Sequence, residues 1–207
     1  LSHYIGQLNQ EGGDLQVRRL FELYQWGIET QLILLNGQLS PNQYLNIVAI
    51  SLRAGEMQAA WQSLQTLKEF LPPTEQASVS KLGMGLFYFS SKDFKAVLDT
   101  LRATRFSLIF REIQARVLLL QAQYECFGAQ DEWLHDQLDS FIRYLRSKKL
   151  SAGHKQAYLN RFKLFKRLVN VNTRDGLQKL ARLIEETHPL DNPAWLKEKV
   201  AERLAAF

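Results

Sequence analysis

The sequence predicts an all-α fold of antiparallel helix hairpins, and three observations carry that reading. Apolar residues recur with helical spacing almost from end to end. No stretch shows the β-branched alternation of a strand. Helix-stopping residues punctuate the chain at short intervals, so consecutive helices are antiparallel neighbours. Eleven glycines and five prolines in 207 residues argue against disorder and against a turn-rich β fold, and 46% hydrophobic residues suffice for a sizeable core.

The first helix is expected over 14–36, with Leu15, Leu20, Tyr24, Ile28 and Leu32 on one face and Asn36-Gly37 as its stop. Ser40 as N-cap and Pro41 at the first helical position open the second, which ends near Ala54-Gly55. The third runs from Glu56 to Leu71 and stops at Pro72-Pro73. Thr74 caps a fourth that reaches Ser90, and Asp93 opens a short fifth ending near Thr104. Two long helices follow, over 108–126 and 130–147. Ser151 caps one through Val171. Thr173, with Asp175 in the first turn, caps another through Glu186, and Pro193 begins the last.

A repeat underlies this order. Residues 41–72 read helix, Gly55, helix, Pro72, with Ala60 five residues after the glycine, where two helices must approach closely. The next unit matches differently, through Met84-Gly85, Tyr88 and a turn at Lys92-Asp93-Phe94, and a third has Leu120, Tyr124 and Gly128, after which the register drifts. Gly55 to Lys92 is 37 residues and Lys92 to Gly128 is 36. A hairpin of this kind buries one face alone and the rest by stacking on its neighbours, which builds a curved solenoid.

These residues resemble the tetratricopeptide motif, although Val48 and Val97 stand where small residues are usual. Further similarity to bacterial tetratricopeptide-like proteins lies in Leu71-Pro72-Pro73, Leu86-Phe87-Tyr88-Phe89, Phe141-Ile142-Arg143-Tyr144-Leu145, Ala157-Tyr158-Leu159-Asn160 and Trp195-Leu196, across roughly 20–204. The resemblance implies a right-handed α-solenoid and a cytoplasmic location, and no particular activity. It also implies that the first helix of each hairpin lines a concave face. Carried over by position, that face comprises Leu45, Ala49, Leu52 and Arg53, then Leu82, Leu86, Phe89 and Ser90, then Leu118, Ala122 and Glu125. As an open groove it suits an amphipathic or extended peptide. Filled by tight curvature or a neighbouring segment, it is plain core.

Chemistry is harder to find. The sequence holds no phosphate-binding glycine loop, zinc-protease motif or nucleophile elbow. The four histidines are scattered. His135-Asp136 with Asp131 and Glu132 reads as a solvated helix start, and Glu185-Glu186 with His188 as a helix end. No metal and no cofactor is expected. Cys126, the single cysteine, fits a reducing compartment and is expected to be a small buried residue. Trp26, Trp61, Trp133 and Trp195 are expected in helix packing. No apolar run approaches a membrane span. The chain opens Leu1-Ser2-His3 without an initiator Met, as a piece of a longer protein would. Residues 1–13 read as a flexible lead-in to a single helical-repeat domain over 1–207.

One stretch stands out within a mildly basic chain of net charge +5. From Ser140 to Thr173 there is no acid, and nine of the chain's 26 Lys and Arg fall there. Arg143, Arg146, Lys148, Lys149, Lys155, Lys163 and Arg167 form a candidate basic patch, with aromatics interleaved. Such a patch attracts phosphates or acidic proteins, and exposed rings beside it could stack on bases. Tyr158, Phe162, Phe165 and Val169, however, have the spacing of a buried face that leaves Lys163 and Arg167 in solvent. The favoured function is a non-enzymatic scaffold or adaptor that binds a protein or peptide. The alternative is an anionic-surface or nucleic-acid binder using residues 143–167, with nucleic acid the less favoured target.

Overall fold

The computed structural model describes residues 13–207, so the lead-in expected over 1–13 lies, Gly13 apart, outside the described residues. Among the described residues ten α-helices form and there is no strand, only an isolated antiparallel bridge between Leu35 and Gln38. The chain divides into two compact units, Leu1–Ala122 and Gln123–Phe207.

In the first unit lie α1 (Asp14–Glu29), α2 (Pro41–Arg53), α3 (Met57–Thr66), a 3₁₀ turn (Leu67–Phe70), α4 (Pro73–Ser90) and α5 (Phe94–Leu101). α6 (Ile109–Phe127) contains the division between the units. Local chemistry sets the helix starts. The Ser40 hydroxyl accepts from the Gln43 amide at 3.2 Å, and the Asp93 carboxylate from the Ala96 amide at 3.1 Å, each satisfying an otherwise unpaired first-turn donor.

α2 packs on α3 and on α4, α3 also meets α4, and α4 packs on α5, while α1 lies against α2. Their shared core holds Tyr24, Tyr44, Ile47, Val48, Leu64, Val79, Leu82, Val97 and Leu101. Ala60 is fully buried, as the close approach of helices requires. Gly83 and Gly85 let α4 sit tightly in this core. A β-carbon at Gly83 would come within 2.8 Å of Leu64, and one at Gly85 within 2.7 Å of Leu101. The Arg111–Glu75 ion pair, 2.5 Å and largely buried, ties the start of α6 to α4.

The turns after α2 and α4 are copies. Gly55 and Lys92 both adopt left-handed backbone, at φ 78° and 61°. The amides of Ala54, Gly55 and Glu56 donate to the carbonyls of Ile50, Leu52 and Ser51. Those of Ser91, Lys92 and Asp93 donate to Phe87, Phe89 and Tyr88, the same pattern 37 residues on. Gly128 is left-handed as well, at φ 79°.

The second unit contains α7 (Glu132–Ser147), α8 (Ala152–Asn170), α9 (Arg174–Glu186) and α10 (Ala194–Ala205). α8 is its central element, packing on α7, α9 and α10, and α9 also packs on α10. Phe141 of α7 meets Phe162 of α8 edge-on at 4.7 Å, while Tyr124, Phe165 and Trp195 form a second edge-on cluster. Beside that cluster Lys199 is buried with Glu125 at 2.9 Å and Glu202 at 2.8 Å, and the Trp195 indole N–H donates to Glu125 at 2.7 Å. Arg203 donates to the carbonyls of Leu168 and Val171, closing the C-terminus of α8.

Several sequence expectations are corrected. α1 ends at Glu29, not at Asn36, because Gln31 turns left-handed; Asn36-Gly37 instead form a tight two-residue turn between Leu35 and Gln38. Leu15 and Leu32 are exposed, and the buried face of α1 is Val17, Leu20, Phe21 and Tyr24. α4 begins at Pro73, so Thr74 lies inside the helix and caps nothing. α5 ends at Leu101, short of Thr104. Ser151 precedes α8 without accepting from its amides; its hydroxyl pairs instead with His154 Nδ1 at 2.7 Å. Of the four tryptophans Trp195 alone is buried; Trp26, Trp61 and Trp133 are at least 40% exposed. Cys126 is exposed too, because it lies in the last turn of α6, past the buried Tyr124.

Candidate functional site

α8 has two faces, and the sequence explains both. Its inward face, Leu159, Phe162, Phe165 and Val169, is apolar and buried at helical spacing. Arg161 is buried with it and is held by Asp191 of the loop before α10 at 2.6 Å. The outward face carries Lys163, Arg167 and Asn170, all exposed.

Two shallow concavities flank that outward face. One, of about 320 Å³, lies between α7 and α8, with Ile142, Lys163, Lys166, Arg167 and Asn170 as its lining. The other, of about 350 Å³, lies between α8 and α9, and Val171, Leu180 and Leu183 supply its apolar floor beside Lys179. Arg167 and Asn170 belong to both, so the depressions adjoin across α8.

The acid-free stretch acquires an electrostatic meaning here. Two of its nine cations are neutralised within the fold, Arg161 by Asp191 and Lys166 by Asp139 at 2.5 Å. The other seven, Arg143, Arg146, Lys148, Lys149, Lys155, Lys163 and Arg167, have no acid partner among the described residues. Arg143 and Arg146 are on α7, and Lys163 and Arg167 are on the neighbouring α8. At the turn between these helices Lys155 donates to the Arg146 carbonyl at 2.8 Å, and the Lys148 ammonium lies 4.5 Å from the centre of the Tyr144 ring. Of the seven, Lys163 lines the first of these concavities and Arg167 lines both.

Of the rings interleaved with these cations, half-buried Tyr144 lies beneath Lys148, and the others face the core. Phe141, Phe162 and Phe165 are all no more than 2% exposed, and Tyr158 is half-buried, with burial and then Asp191 pushing its hydroxyl pKa up.

The positions assigned to the concave groove are mixed. Leu45, Leu82, Leu118 and Ala122 are buried in the first unit's core. Leu52, Leu86 and Phe89 pack against that core and are half-buried, as are Ala49 and Glu125, while Arg53 and Ser90 are exposed. Phe89 is covered in part by Phe94, edge-on at 5.3 Å.

Sequence reading did not find Lys179, Leu180, Leu183 and Asn170 as neighbours of Lys163 and Arg167. The signal was the helical spacing of 163, 167 and 170, combined with α9 following α8 after a short turn. It also missed the Lys199–Glu125 pair, which joins residues 74 positions apart and leaves no local trace.

The densest carboxylate and imidazole groups play structural parts. Asp131 accepts from the Trp133 amide and caps α7, and the His135 ring nitrogen meets the Ala129 carbonyl at 3.1 Å. Among the described residues no group of three or more His, Cys, Asp or Glu is placed to hold a metal, and no helix is long and apolar enough to cross a membrane. Compared with protein-family models, with curated proteins and with solved structures, the chain has no match in any of the three.

Proposed function

We propose that this protein is a non-enzymatic scaffold of tetratricopeptide-like helix hairpins that binds a protein or peptide partner. The observation that carries the reading is the copied turn: Gly55 and Lys92 repeat the same left-handed conformation and the same three hydrogen bonds 37 residues apart. The packing of α2 on α3 and α4, with α3 also on α4, is what stacked hairpins require. Stacked hairpins present rows of helix faces rather than a closed cavity, and such surfaces act by binding.

The test is crosslinking in the source cells, followed by purification of the tagged protein under denaturing conditions. A discrete protein recovered above the untagged control is expected. Recovery of none at any crosslinker length would contradict the reading.

A second reading, an anionic-surface or nucleic-acid binder, is favoured by the seven cations that the fold leaves without acid partners. Phosphate contacts of this kind position a strand without reading its bases. Reversing charge at Lys148, Lys149 and Lys155 together is then expected to weaken retention on heparin or single-stranded DNA without unfolding the protein. Absence of retention of the wild type at low salt would rule this reading out.

A further inference from the structure

We propose that the outward face of α8 is a docking site for an acidic amphipathic peptide, with Lys163 and Arg167 pairing to its carboxylates and the floor of the two flanking concavities taking its aliphatic side chains. The inference rests on the protein-binding reading above and names the site and the partner's chemistry.

Three features of the face select this occupant. First, Lys163 and Arg167 are exposed, one helical turn apart, and without acid partners among the described residues. Exposed cations unsatisfied within the fold attract an anion in solution. Their separation along α8 is about 6 Å of rise, which matches two acids at i and i+4 on a partner helix. Second, the floor beside them is aliphatic: half-buried Val171 and Leu183 on one side, with the largely covered Leu180 beneath them, and the edge of the largely covered Ile142 on the other. Water covering such a floor is released when leucine-like side chains replace it. Gly176 lines the end of the α8–α9 concavity, where it lets Val171 and Thr173 pack close: a β-carbon there would come within 2.5 Å of Val171. Third, nucleic acid fits this floor poorly. Single-strand binders add to their phosphate contacts a platform of exposed rings on which bases stack. Phe162 and Phe165 of α8 and Phe141 of α7 are buried in the core, and the half-buried Tyr144 ring is already covered by Lys148. A cationic rim around an aliphatic floor is the complement of a helix that presents acids beside leucines.

Fluorescence anisotropy tests this with three labelled probes on the intact chain. They are a helical peptide with Glu at i and i+4 and Leu between, the same peptide with every Leu replaced by Gln, and a thymidine oligonucleotide of equal charge. The leucine-bearing peptide is expected to bind about tenfold or more tightly than either of the others. Lys163→Glu/Arg167→Glu is expected to lower its affinity by about tenfold or more, Leu183→Gln by less, and Arg182→Glu, whose site lines neither concavity, hardly at all. Circular dichroism establishes that each variant is folded. Should the charge-reversed pair misfold, Lys163→Gln/Arg167→Gln replaces it, with a smaller loss expected.

Equal binding of the leucine-free peptide or of the oligonucleotide would overturn the proposal in favour of a general polyanion surface. Binding of no probe even at low salt would leave the face merely solvated. If no probe binds but crosslinking recovers a partner, the docking site alone is wrong. If crosslinking also recovers nothing, the protein-binding reading falls with it.

Discussion

Lys92 occupies, one hairpin on, the left-handed position that Gly55 occupies in the first: φ is 61° at the lysine and 78° at the glycine, and the flanking hydrogen bonds are the same. A β-carbon is strained in this region and a glycine is not. Replacing Lys92→Gly is expected to stabilise the protein by about 0.5 kcal/mol, the relief of strain exceeding the added freedom of the unfolded chain. Gly55→Ala, in open space but at the same φ, is expected to cost about 1 kcal/mol. Urea unfolding of the two variants reads both. A loss of stability in Lys92→Gly would show that the two turns are not equivalent.

Gly85 and Ala60 mark the tightest helix contacts of the first unit. A β-carbon at Gly85 meets three side-chain atoms of Leu101, the nearest at 2.7 Å, and Leu101 is itself buried. Gly85→Val and Ala60→Leu are each expected to destabilise by about 1–3 kcal/mol through overpacking. Gly153→Ala is the control. It lies in α8 with nothing within 4 Å, and a gain of about 0.5 kcal/mol is expected there from helix propensity. Thermal melts of the three variants should therefore move in opposite directions.

Lys199 and Glu125 form the most buried ion pair of the second unit, with side chains 9% and 14% exposed. Burial alone would lower the lysine pKa, but hydrogen bonds to Glu202 and Glu125 outweigh it and raise the value. Lys199→Met leaves the Glu125 carboxylate buried beside the Trp195 N–H alone. It is expected to cost about 3 kcal/mol, with much of that recovered when Glu125→Gln is added. A double-mutant cycle by urea unfolding checks the coupling, and additive losses would show that the pair does not interact.

Alkaline pH provides an independent check on the core. Burial pushes the Tyr24 and Tyr44 hydroxyls up to about 12. A pKa raised on folding means that the folded state holds its proton more tightly than the unfolded state does. The resulting stability is complete below the ordinary tyrosine value of about 10 and drains away as pH rises from there toward 12. Lys199, also raised, adds a loss of the same sign above its ordinary value of about 10.4. Unfolding free energy measured from pH 9 to 12 should fall more gently in Tyr24→Phe/Tyr44→Phe than in wild type. Parallel curves would place those hydroxyls in water.

Helix order was legible because it is local. Ser40, Asp93 and Thr173 cap where their side chains reach a nearby amide, and Gly55 and Gly128 stop helices through their own φ. Burial was less legible, because it depends on what lies opposite. Trp26 and Trp61 carry core-like spacing but stay largely open to solvent, Trp61 covered on one side by Phe87, and Cys126 lies beyond the covered part of its helix. The basic patch was legible as composition. Its division into seven unpaired cations and two neutralised ones depended on Asp139 and Asp191, residues outside the acid-free stretch.

A photoreactive amino acid placed at Asn170 and, separately, at Phe89 tests the central claim most directly, that a protein partner docks on the outward face of α8. In cells, the Asn170 position is expected to yield a discrete crosslinked product that disappears with Lys163→Glu/Arg167→Glu, while the Phe89 position, half-buried beneath Phe94, yields little. A product from Phe89 with none from Asn170, or one from Asn170 that survives the charge reversal, would contradict the account.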